Sequence, residues 1–457
     1  MKHKISRLYL YAFLYRFVFL LLAVPVQAVL FEGFSPVFVF FAYFTNIVIF
    51  LLITVWGILS LRANFLVENQ DKILRGKGII LRREDFIYND KIRCVTLTRK
   101  LLYPITRSVK LTVKGANITA ESYLKTPDAK ALSQRLIPRE KKHRVQKYPS
   151  DFWGLLLVCA GFSNVLWGLF TLIPMLNKTA NFIGDERAAK LFELFRFEND
   201  LILSVLPSSL RILAGFFFFI WFSGLLIAFL KHINFTLRLW GDAVSVSKGL
   251  ITKTVTEFPK SSLSAVTLRQ SLLLLIFKRF SLKGHLPVKG TENFLNLSLG
   301  AKEKEQKEIL CRLGFIEENP IRIIKPKGFP LWGYCYKAIL FLLFTLLLMI
   351  FPLRLPLLFY PWVGIFLLSL ASVFFSYLGF RKSKVTVYES FITISYASPF
   401  HLCKTYIPKE KITARTLIQS PYQRLRKTCT LKIHIRGDAK TCLKIISVQK
   451  EEATQLT

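Results

Sequence analysis

Residues 248–273 read KGLITKTVTEFPKSSLSAVTLRQSLL, and this stretch has counterparts elsewhere in the 457-residue chain. Ungapped alignment on Ile92, Leu263 and Ile412 superimposes IRCVTLTRKLLYP, LSAVTLRQSLLLL and ITARTLIQSPYQR. Recurrence of one pattern along a chain is typical of proteins that repeat a supersecondary unit. The sequence therefore predicts three copies of one folded unit, here called copy one, copy two and copy three.

Polar and apolar residues alternate on both sides of the repeated motif. In copy one Val109, Leu111 and Val113 alternate with lysine and threonine, and residues 244–246 and 431–435 show similar alternation in the other copies. A period of two indicates half-buried strands of an antiparallel sheet or small barrel. A helix-like segment closes each copy, beginning at Thr126, Ala301 or Val448. Strands followed by one helix indicate an α+β order.

Long apolar blocks separate the copies. The chain is 52% hydrophobic with 42 Phe, yet it carries a formal charge of +36. Apolar blocks with positive charge between them are typical of integral membrane proteins that have basic cytoplasmic parts. Six blocks are predicted to span the membrane as helices, in three hairpins: residues 8–30, 37–61, 152–176, 210–230, 336–353 and 356–380.

The distribution of Lys and Arg predicts the orientation of these hairpins. The amino terminus and the three long polar stretches are rich in Lys and Arg, whereas the short connections within hairpins are not. The positive-inside rule then places both termini and all three stretches in the cytoplasm of a bacterial inner or plasma membrane protein. The predicted boundaries are hairpin 1 at 1–61, cytoplasmic domain 1 at 62–150, hairpin 2 at 151–231 with an outer loop at 177–209, cytoplasmic domain 2 at 232–335, hairpin 3 at 336–380 and cytoplasmic domain 3 at 381–457.

Paired membrane helices followed by such a strand-rich module resemble the bacterial PH-like, membrane-flanked domains of YdbS/YdbT-type proteins. Copy two carries the resemblance through Gly249, Pro259, Leu263, Val266, Gln270, Ser271, Lys278 and Arg279. Copy three keeps Pro408, Ile412, Gln419, Ser420 and Arg424, and copy one keeps Gly78 and Ile92 but has Arg99 and Lys100 where the others have Gln-Ser.

The resemblance implies a curled sheet of seven strands with a helical cap, and no catalytic residues. The expected fold is thus an α+β membrane protein with six transmembrane helices in three hairpins. Each hairpin is followed by a PH-like antiparallel curled sheet or barrel that a C-terminal helix caps.

The apolar run Leu272–Phe277 lies between Arg269 and the pair Lys278-Arg279. It is far too short to cross a bilayer, which requires about 20 apolar residues. The run is compatible with core packing and also with a contact to the membrane or to a neighbouring copy, and periodicity does not separate these alternatives.

Metal and catalytic chemistry are not expected. The seven cysteines include no CxxC pair. A zinc site built from His401, Cys403, Cys429 and His434 is disfavoured, because tight ligand spacing is missing and the other copies lack these residues. We therefore expect a protein that is not an enzyme and that uses no cofactor.

The positive charge exceeds what orientation alone requires. Basic residues at an inner leaflet gain about 1 kcal/mol each from anionic lipid. Solvated orientation charge, contact with anionic headgroups and an acidic protein partner all remain open, while nucleic acid is disfavoured because no basic platform with interleaved aromatic residues is present. The candidate lipid or partner contacts are Arg82, Arg83, Arg93, Arg99, Lys100, Arg269, Gln270, Ser271, Lys278, Arg279, Gln419, Ser420, Arg424 and Arg426.

These features predict a non-enzymatic, membrane-anchored scaffold. Its basic domains are expected to contact anionic lipid of the inner leaflet, one another, or a partner, and the resemblance suggests a role in envelope maintenance or stress defence. The expected partner is a related smaller PH-like membrane protein or a second copy of the chain. The alternative is a transporter or channel component built from the three hairpins, although Asn46 and Asn164 are among few strongly polar residues in the spans.

Overall fold

The computed structural model describes a defined part of the chain. The described residues are 2–3, 6, 8–14, 17, 36–68, 72–77, 83–100, 103, 107–116, 118–138, 145–160, 222–288, 294–326, 330–349, 359–398, 401–435 and 442–454. Arg82, the predicted outer loop and large parts of the predicted spans 8–30, 152–176 and 210–230 lie outside this part. The chain forms two compact units: unit 1 is Met1–Lys147, Leu237–Ser262 and Pro287–Asn293, and unit 2 is Tyr148–Thr236, Leu263–Leu286 and Phe294–Thr457.

The helices of the described residues alternate with groups of strands. In chain order they are α1 (Leu8–Leu14), α2 (Pro36–Ala63), α3 (Thr126–Leu136), α4 (Phe152–Ala160), α5 (Phe222–His232), α6 (Leu272–Ile276), α7 (Glu303–Arg312), α8 (Pro330–Leu347), α9 (Phe359–Lys382), α10 (Pro421–Leu425) and α11 (Lys450–Thr454). A short 3-10 turn precedes each anchor residue, at Asn89–Lys91, Lys260–Ser262 and Lys409–Lys411.

Two helices among the described residues are long and apolar enough to cross a membrane. Their apolar windows are Phe44–Leu61 in α2 and Ile365–Lys382 in α9, which fall largely within two of the predicted spans. Shorter apolar helices cover Phe222–His232 and Tyr334–Leu347. The described part of the chain therefore holds two candidate membrane helices rather than six, and these two are candidates by length and composition only.

Antiparallel strands make up the rest of the described fold. They are β1 (Lys2–His3), β2 (Phe65–Glu68), β3 (Lys72–Lys77), β4 (Arg83–Tyr88), β5 (Ile92–Arg99), β6 (Ser108–Gly115), β7 (Thr119–Lys125), β8 (Gln146–Pro149), β9 (Thr236–Trp240), β10 (Ala243–Lys248), β11 (Lys253–Pro259), β12 (Ala265–Ser271), β13 (Arg279–His285), β14 (Phe294–Lys302), β15 (Arg322–Ile324), β16 (Lys384–Val387), β17 (Phe391–Ser398), β18 (His401–Pro408), β19 (Ile412–Ile418), β20 (Thr428–Ile435) and β21 (Cys442–Gln449).

Copy one forms its core from two sheets and a helix in unit 1. The first sheet has the order β1-β2-β3-β4, and β5 begins the second after the 3-10 turn. Leu66 and Ile73 of the first sheet share one buried cluster with Val95 and Leu111 of the second, and Leu132 of α3 belongs to the same cluster. Four strands, three strands and a closing helix agree with the PH-like expectation for this copy.

The second sheet does not stop at the end of copy one. Its order is β7-β6-β5-β11-β10-β9-β8, so strands of copy two continue the sheet that copy one begins. The alternating pattern predicts a sheet within each copy, and the structure differs in joining β5 edge to edge with β11. The alternating pattern indicates which face of a strand is buried, but it does not indicate which strand lies beside it. The pattern therefore did not predict this junction.

Unit 2 repeats the same arrangement one copy later. Its large sheet has the order β14-β13-β12-β18-β17-β16-β15, so β12 of copy two pairs with β18 of copy three. Copy three then adds the sheet β19-β20-β21 and the helix α11. Val385 and Ile394 of the large sheet share a buried cluster with Leu431 and Ile433 of the small one.

The two junctions between copies use one register. Thr96 lies opposite Thr256 in the pair β5–β11, and Thr267 lies opposite Thr405 in the pair β12–β18. Thr96 and Thr267 each stand four residues after an anchor, and Thr256 and Thr405 each stand seven residues before the next one. The junction is therefore part of the repeat.

Candidate functional site

A basic pocket opens at the junction in unit 2. Its volume is about 480 Å³, and none of the described residues that line it is acidic. Its basic lining residues are Lys325, Arg381, Lys382, Lys384 and Lys404. The other lining residues are Leu268, Gln270, Ser383, Ser395, Tyr396, Leu402 and Cys403. A concave surface with this much positive charge is suited to an anionic ligand.

The fold brings these residues together from helix α9 and strands β12, β16, β17 and β18, with Lys325 directly after β15. Arg381 and Lys382 end helix α9, and the chain passes through Ser383 directly into β16. Lys384, Ser395 and Lys404 are neighbours in register across β16, β17 and β18. Directly paired residues of an antiparallel sheet share a face, so the two lysines project from the same side. The pocket thus lies at the polar end of a candidate membrane helix.

One of the five basic groups already has a partner. Lys404 forms an ion pair with Glu317, and the Tyr406 hydroxyl donates to the same carboxylate oxygen at 2.6 Å. Burial alone would raise the pKa of Glu317, but the hydrogen bonds from Lys404 and Tyr406 outweigh it and lower that pKa. Within the described residues Lys325, Arg381, Lys382 and Lys384 form no ion pair, although the charge of Lys384 also helps to lower the pKa of Glu317.

A second group of basic side chains, the cationic cluster, consists of Arg269, Lys283 and His401. Arg269 pairs in register with Cys403, and Lys283 pairs with Thr267, so Arg269 and Lys283 project from one face of the sheet. Leu268 and Lys404, which pair with each other, project from the other face. Burial, followed by the charge of Arg269, lowers the pKa of Lys283 to about 8. Burial, followed by the charges of the other two groups, lowers the pKa of His401 to about 4. Neither Arg269 nor Lys283 forms an ion pair in the described part of the chain.

Unit 1 holds a pocket at the equivalent junction. It measures about 370 Å³, and its lining includes Leu97 and Arg99, which match Leu268 and Gln270 of the basic pocket in the repeat. This pocket contains a carboxylate: Glu257 is buried and accepts a hydrogen bond of 2.7 Å from the Ser133 hydroxyl of α3. Its basic residues Arg99, Lys130, Arg238 and Lys253 are all exposed. The two junction pockets therefore share a position but differ in charge.

The Gln-Ser motif forms local structure in copies two and three. The Gln270 side-chain amide donates to the Arg279 carbonyl at 3.2 Å, and the Gln419 amide makes the equivalent bond to the Thr428 carbonyl at 2.9 Å. Ser420 caps α10 in a capping box with Gln423. These hydrogen bonds close the turn between two strands, so Gln270 and Gln419 have a structural role in their own domains, and Gln270 also lines the basic pocket.

Arg279 also has internal partners. Its guanidinium donates to the Gly300 carbonyl at 2.9 Å and to the Asp151 carboxylate at 2.7 Å, and its side chain is only 13% exposed. The hydrogen bond from Arg279 lowers the pKa of Asp151. Arg279 therefore ties β13 to the first residue before α4, where a predicted span begins.

The other candidate contacts are mostly on the surface. Lys100, Lys278, Arg424 and Arg426 are exposed, and Ser271 lies at the N-terminus of α6. Arg83 belongs to β4, and the Nε of Arg93 is buried with no hydrogen-bond partner among the described residues. The sequence pattern did not single out Lys325, Lys384 or Lys404, and the RKSK run that follows the last predicted span was the only available signal for the pocket.

The apolar run Leu272–Phe277 contributes partly to the core and is partly exposed, so both alternatives, core packing and an external apolar contact, apply to it. Leu274 is buried at 3% exposure, whereas Ile276 and Phe277 are 63% and 57% exposed. Helix α6 contacts α4, whose first residues Phe152 and Trp153 are also exposed. The run thus supplies one core residue and an apolar tip beside the start of a predicted span.

Metal ligands do not cluster in the described ranges, where no group of three His, Cys, Asp or Glu side chains could hold an ion. Within those ranges His434 Nε2 lies 3.1 Å from the Thr416 hydroxyl. Whether the chain uses a cofactor stays a prediction.

Comparison with known proteins bears on the repeat. A family model described as Bacterial PH domain matches residues 17–141, 195–291 and 338–457, about three quarters of the chain. Each match contains one of the anchors Ile92, Leu263 and Ile412, which confirms the predicted triple repeat. No curated protein and no solved structure gives a significant match.

Proposed function

The chain belongs to the bacterial PH domain family, and we propose that it is a non-enzymatic, membrane-anchored binding protein that holds anionic lipid headgroups at the inner leaflet. The observation that carries this proposal is the basic pocket at the end of α9. Four of its five basic side chains form no ion pair among the described residues. Envelope maintenance or stress defence is the setting that the family resemblance suggests.

Membrane anchoring is part of the proposal. We propose that all six apolar blocks span the membrane, with the strand-rich copies in the cytoplasm, because Lys and Arg concentrate in the long polar stretches. Helix α9 would then deliver Arg381 and Lys382 to the headgroup layer of the inner leaflet. A tethered pocket meets headgroups at high effective concentration, so modest affinity is sufficient for occupancy.

Charge near the helix end has a second physical role, which does not account for the whole pocket. Arg381 and Lys382 also counter the partial negative charge at the C-terminus of α9. Lys325 follows β15 and Lys384 begins β16, so neither belongs to that helix. Each basic residue near an anionic surface contributes about 1 kcal/mol. Lys325 and Lys384 therefore support a headgroup site, because stabilisation of helix α9 does not explain their charge.

The test is the lipid preference of the full chain in detergent. Native mass spectrometry would count the phosphatidylglycerol and phosphatidylethanolamine molecules that stay bound to each variant. The variant Lys325→Gln, Lys382→Gln, Lys384→Gln should lose its preference for the anionic lipid by at least about tenfold, because about three bases are removed.

A matched control removes the same charge elsewhere. The variant Lys304→Gln, Lys409→Gln, Lys411→Gln changes residues outside the pocket lining in the same unit. It should keep the preference of the original chain. Equal losses in both triple variants would show that net charge alone attracts the lipid and would overturn the pocket proposal.

The transporter alternative has no supporting observation in the described residues. The hydroxyls of Thr345 in α8 and Ser369 in α9 are buried, lie 3.3 Å apart and donate to carbonyls of their own helices. The Trp362 indole of α9 donates to the Thr345 carbonyl at 2.8 Å. These hydrogen bonds join the two helices to each other.

A further inference from the structure

The strands β5, β12 and β19 occupy the same place in the three copies, directly after the anchor residues. In copies one and two this strand pairs on one side with its own copy and on the other with the next copy, through β11 or β18. In copy three the described sheet has the order β19-β20-β21. Among the described residues, β19 is therefore an edge strand at the place where the other copies continue.

The complementary edge lies at the beginning of the chain. Strands β4, β11 and β18 each end four residues before an anchor, so they also occupy one place in the repeat. Strand β4 belongs to copy one, and it stands at the end of the described sheet β1-β2-β3-β4. One chain thus presents both halves of the junction that it uses twice internally.

Exposure of apolar side chains points to the same edges. Leu268 and Leu417 hold the same position in the repeat, five residues after their anchors. Leu268 is 8% exposed at the internal junction, whereas Leu417 is 36% exposed on β19. Phe86 and Tyr88 of β4 are likewise exposed. Exposed apolar edge strands favour pairing with another chain.

We infer that β19 of one chain pairs antiparallel with β4 of a second copy of the same chain, in the register of the internal junctions. Thr416 then takes the position of Thr96 and Thr267, and Asp85 of the second copy takes that of Thr256 and Thr405.

The register brings complementary charges together. Arg415 lies opposite Phe86 of the second copy, and Leu417 lies opposite its Glu84, so Arg415 and Glu84 become diagonal neighbours on one face. Diagonal neighbours of an antiparallel pair are within reach of long side chains. A contact between two different edges is heterologous and builds rings or open chains of molecules. This inference does not depend on lipid binding.

Charge exchange between two copies tests the register. In full-length protein purified in detergent, Arg415→Glu should weaken self-association two- to fivefold, and Glu84→Arg should do the same. A chain that carries both substitutions should regain the original association, because each junction again joins opposite charges. The exposed Lys304 lies in α7, outside both edge strands, so Lys304→Glu is the control and should leave association unchanged. Failure of the double variant to recover would overturn the register.

Covalent capture tests the occupant directly. Two differently tagged chains, one with Thr416→Cys and one with Asp85→Cys, would be coexpressed, oxidised in native membranes and mapped by mass spectrometry. A disulfide between positions 416 and 85 of different chains is expected, and a Lys304→Cys chain paired with Asp85→Cys should give none. Exclusive capture of position 416 on another protein, or a chain that stays monomeric in membranes, would overturn pairing with a second copy.

Discussion

The hydroxyl of Thr267 lies 2.9 Å from that of Thr405, although 138 residues separate them. The same contact joins Thr96 and Thr256 at 3.3 Å one copy earlier. Paired threonines across neighbouring strands contribute to sheet stability. This relationship shows that successive copies are joined by a repeated strand pair.

Removal of one junction hydroxyl should lower stability. The Thr267 hydroxyl lies 2.7 Å from His285 Nε2 as well as 2.9 Å from the Thr405 hydroxyl, and all three groups are buried. Thr267→Val should therefore lower the apparent free energy of unfolding by about 1–3 kcal/mol. Urea unfolding of the full chain in detergent measures this change. Thr252→Val, at an exposed turn position, should change the value by less than about 0.5 kcal/mol.

A close backbone contact between α4 and β14 requires glycine. A Cβ added to Gly154 would lie 2.5 Å from the Gly300 carbonyl oxygen, and Gly300 itself has a φ of +67°. Gly154→Ala should destabilise the chain by about 1–3 kcal/mol, because the helix and the strand must move apart. Thermal unfolding of the full chain in detergent would measure this loss of stability. Gly224→Ala in α5 meets no atom of the described residues within 4 Å and should be neutral or slightly stabilising; equal effects of the two substitutions would contradict the packing of α4 on β14.

Lys283 of the cationic cluster should make the stability of the chain depend on pH in the alkaline range. The pKa of Lys283 is lowered from 10.5 to about 8, mainly by burial. Between these values the unfolded chain retains a proton that the folded chain has released, so stability should rise from pH 8 to about 10.5. The measurement is the denaturation midpoint across this range.

Lys283→Met should flatten that rise and stabilise the chain at pH 7, because a poorly solvated charge is removed. The exposed Lys304 serves as control, and Lys304→Met should keep the original pH profile. A profile for Lys283→Met that equals that of the original chain would show that Lys283 is solvated in the folded protein.

Release of the one paired base should strengthen lipid binding. Glu317→Gln removes the carboxylate that pairs with Lys404, so the basic pocket gains one free cation. Occupancy by anionic lipid should rise about fivefold, which corresponds to about 1 kcal/mol. Tyr406→Phe removes the other hydrogen bond to Glu317 but leaves the ion pair, so it should give no gain. Native mass spectrometry compares the two variants, and an equal response would contradict a role for charge in the pocket.

Sequence periodicity predicted the strands that bury one face. Val109, Leu111 and Val113 alternate with polar residues and are buried in β6, and Leu431 and Ile433 do the same in β20. The pattern is readable because one side of each strand contacts the core while the other does not. The anchor alignment likewise identified residues that hold equal positions in different copies, such as Gln270 and Gln419.

The junctions and the basic pocket depend on contacts that no local pattern records. Lys325 and Lys404 are far apart in sequence and meet only because β15, β16, β17 and β18 lie in one sheet. The Gln-Ser motif was interpreted as a contact site because it recurs, whereas Gln270 and Gln419 recur because they close equivalent turns. Recurrence therefore indicated a shared fold at these positions and did not distinguish it from a shared ligand.

The sidedness of the three strand-rich copies tests the central claim most directly. Reporter proteins fused after residues 145, 319 and 457 would each show whether that point lies in the cytoplasm or outside the membrane. All three should report the cytoplasm, because the basic pocket can meet inner-leaflet headgroups only from that side. A reporter that placed any one of these points on the outer side would contradict the proposed anchoring and the lipid site that depends on it.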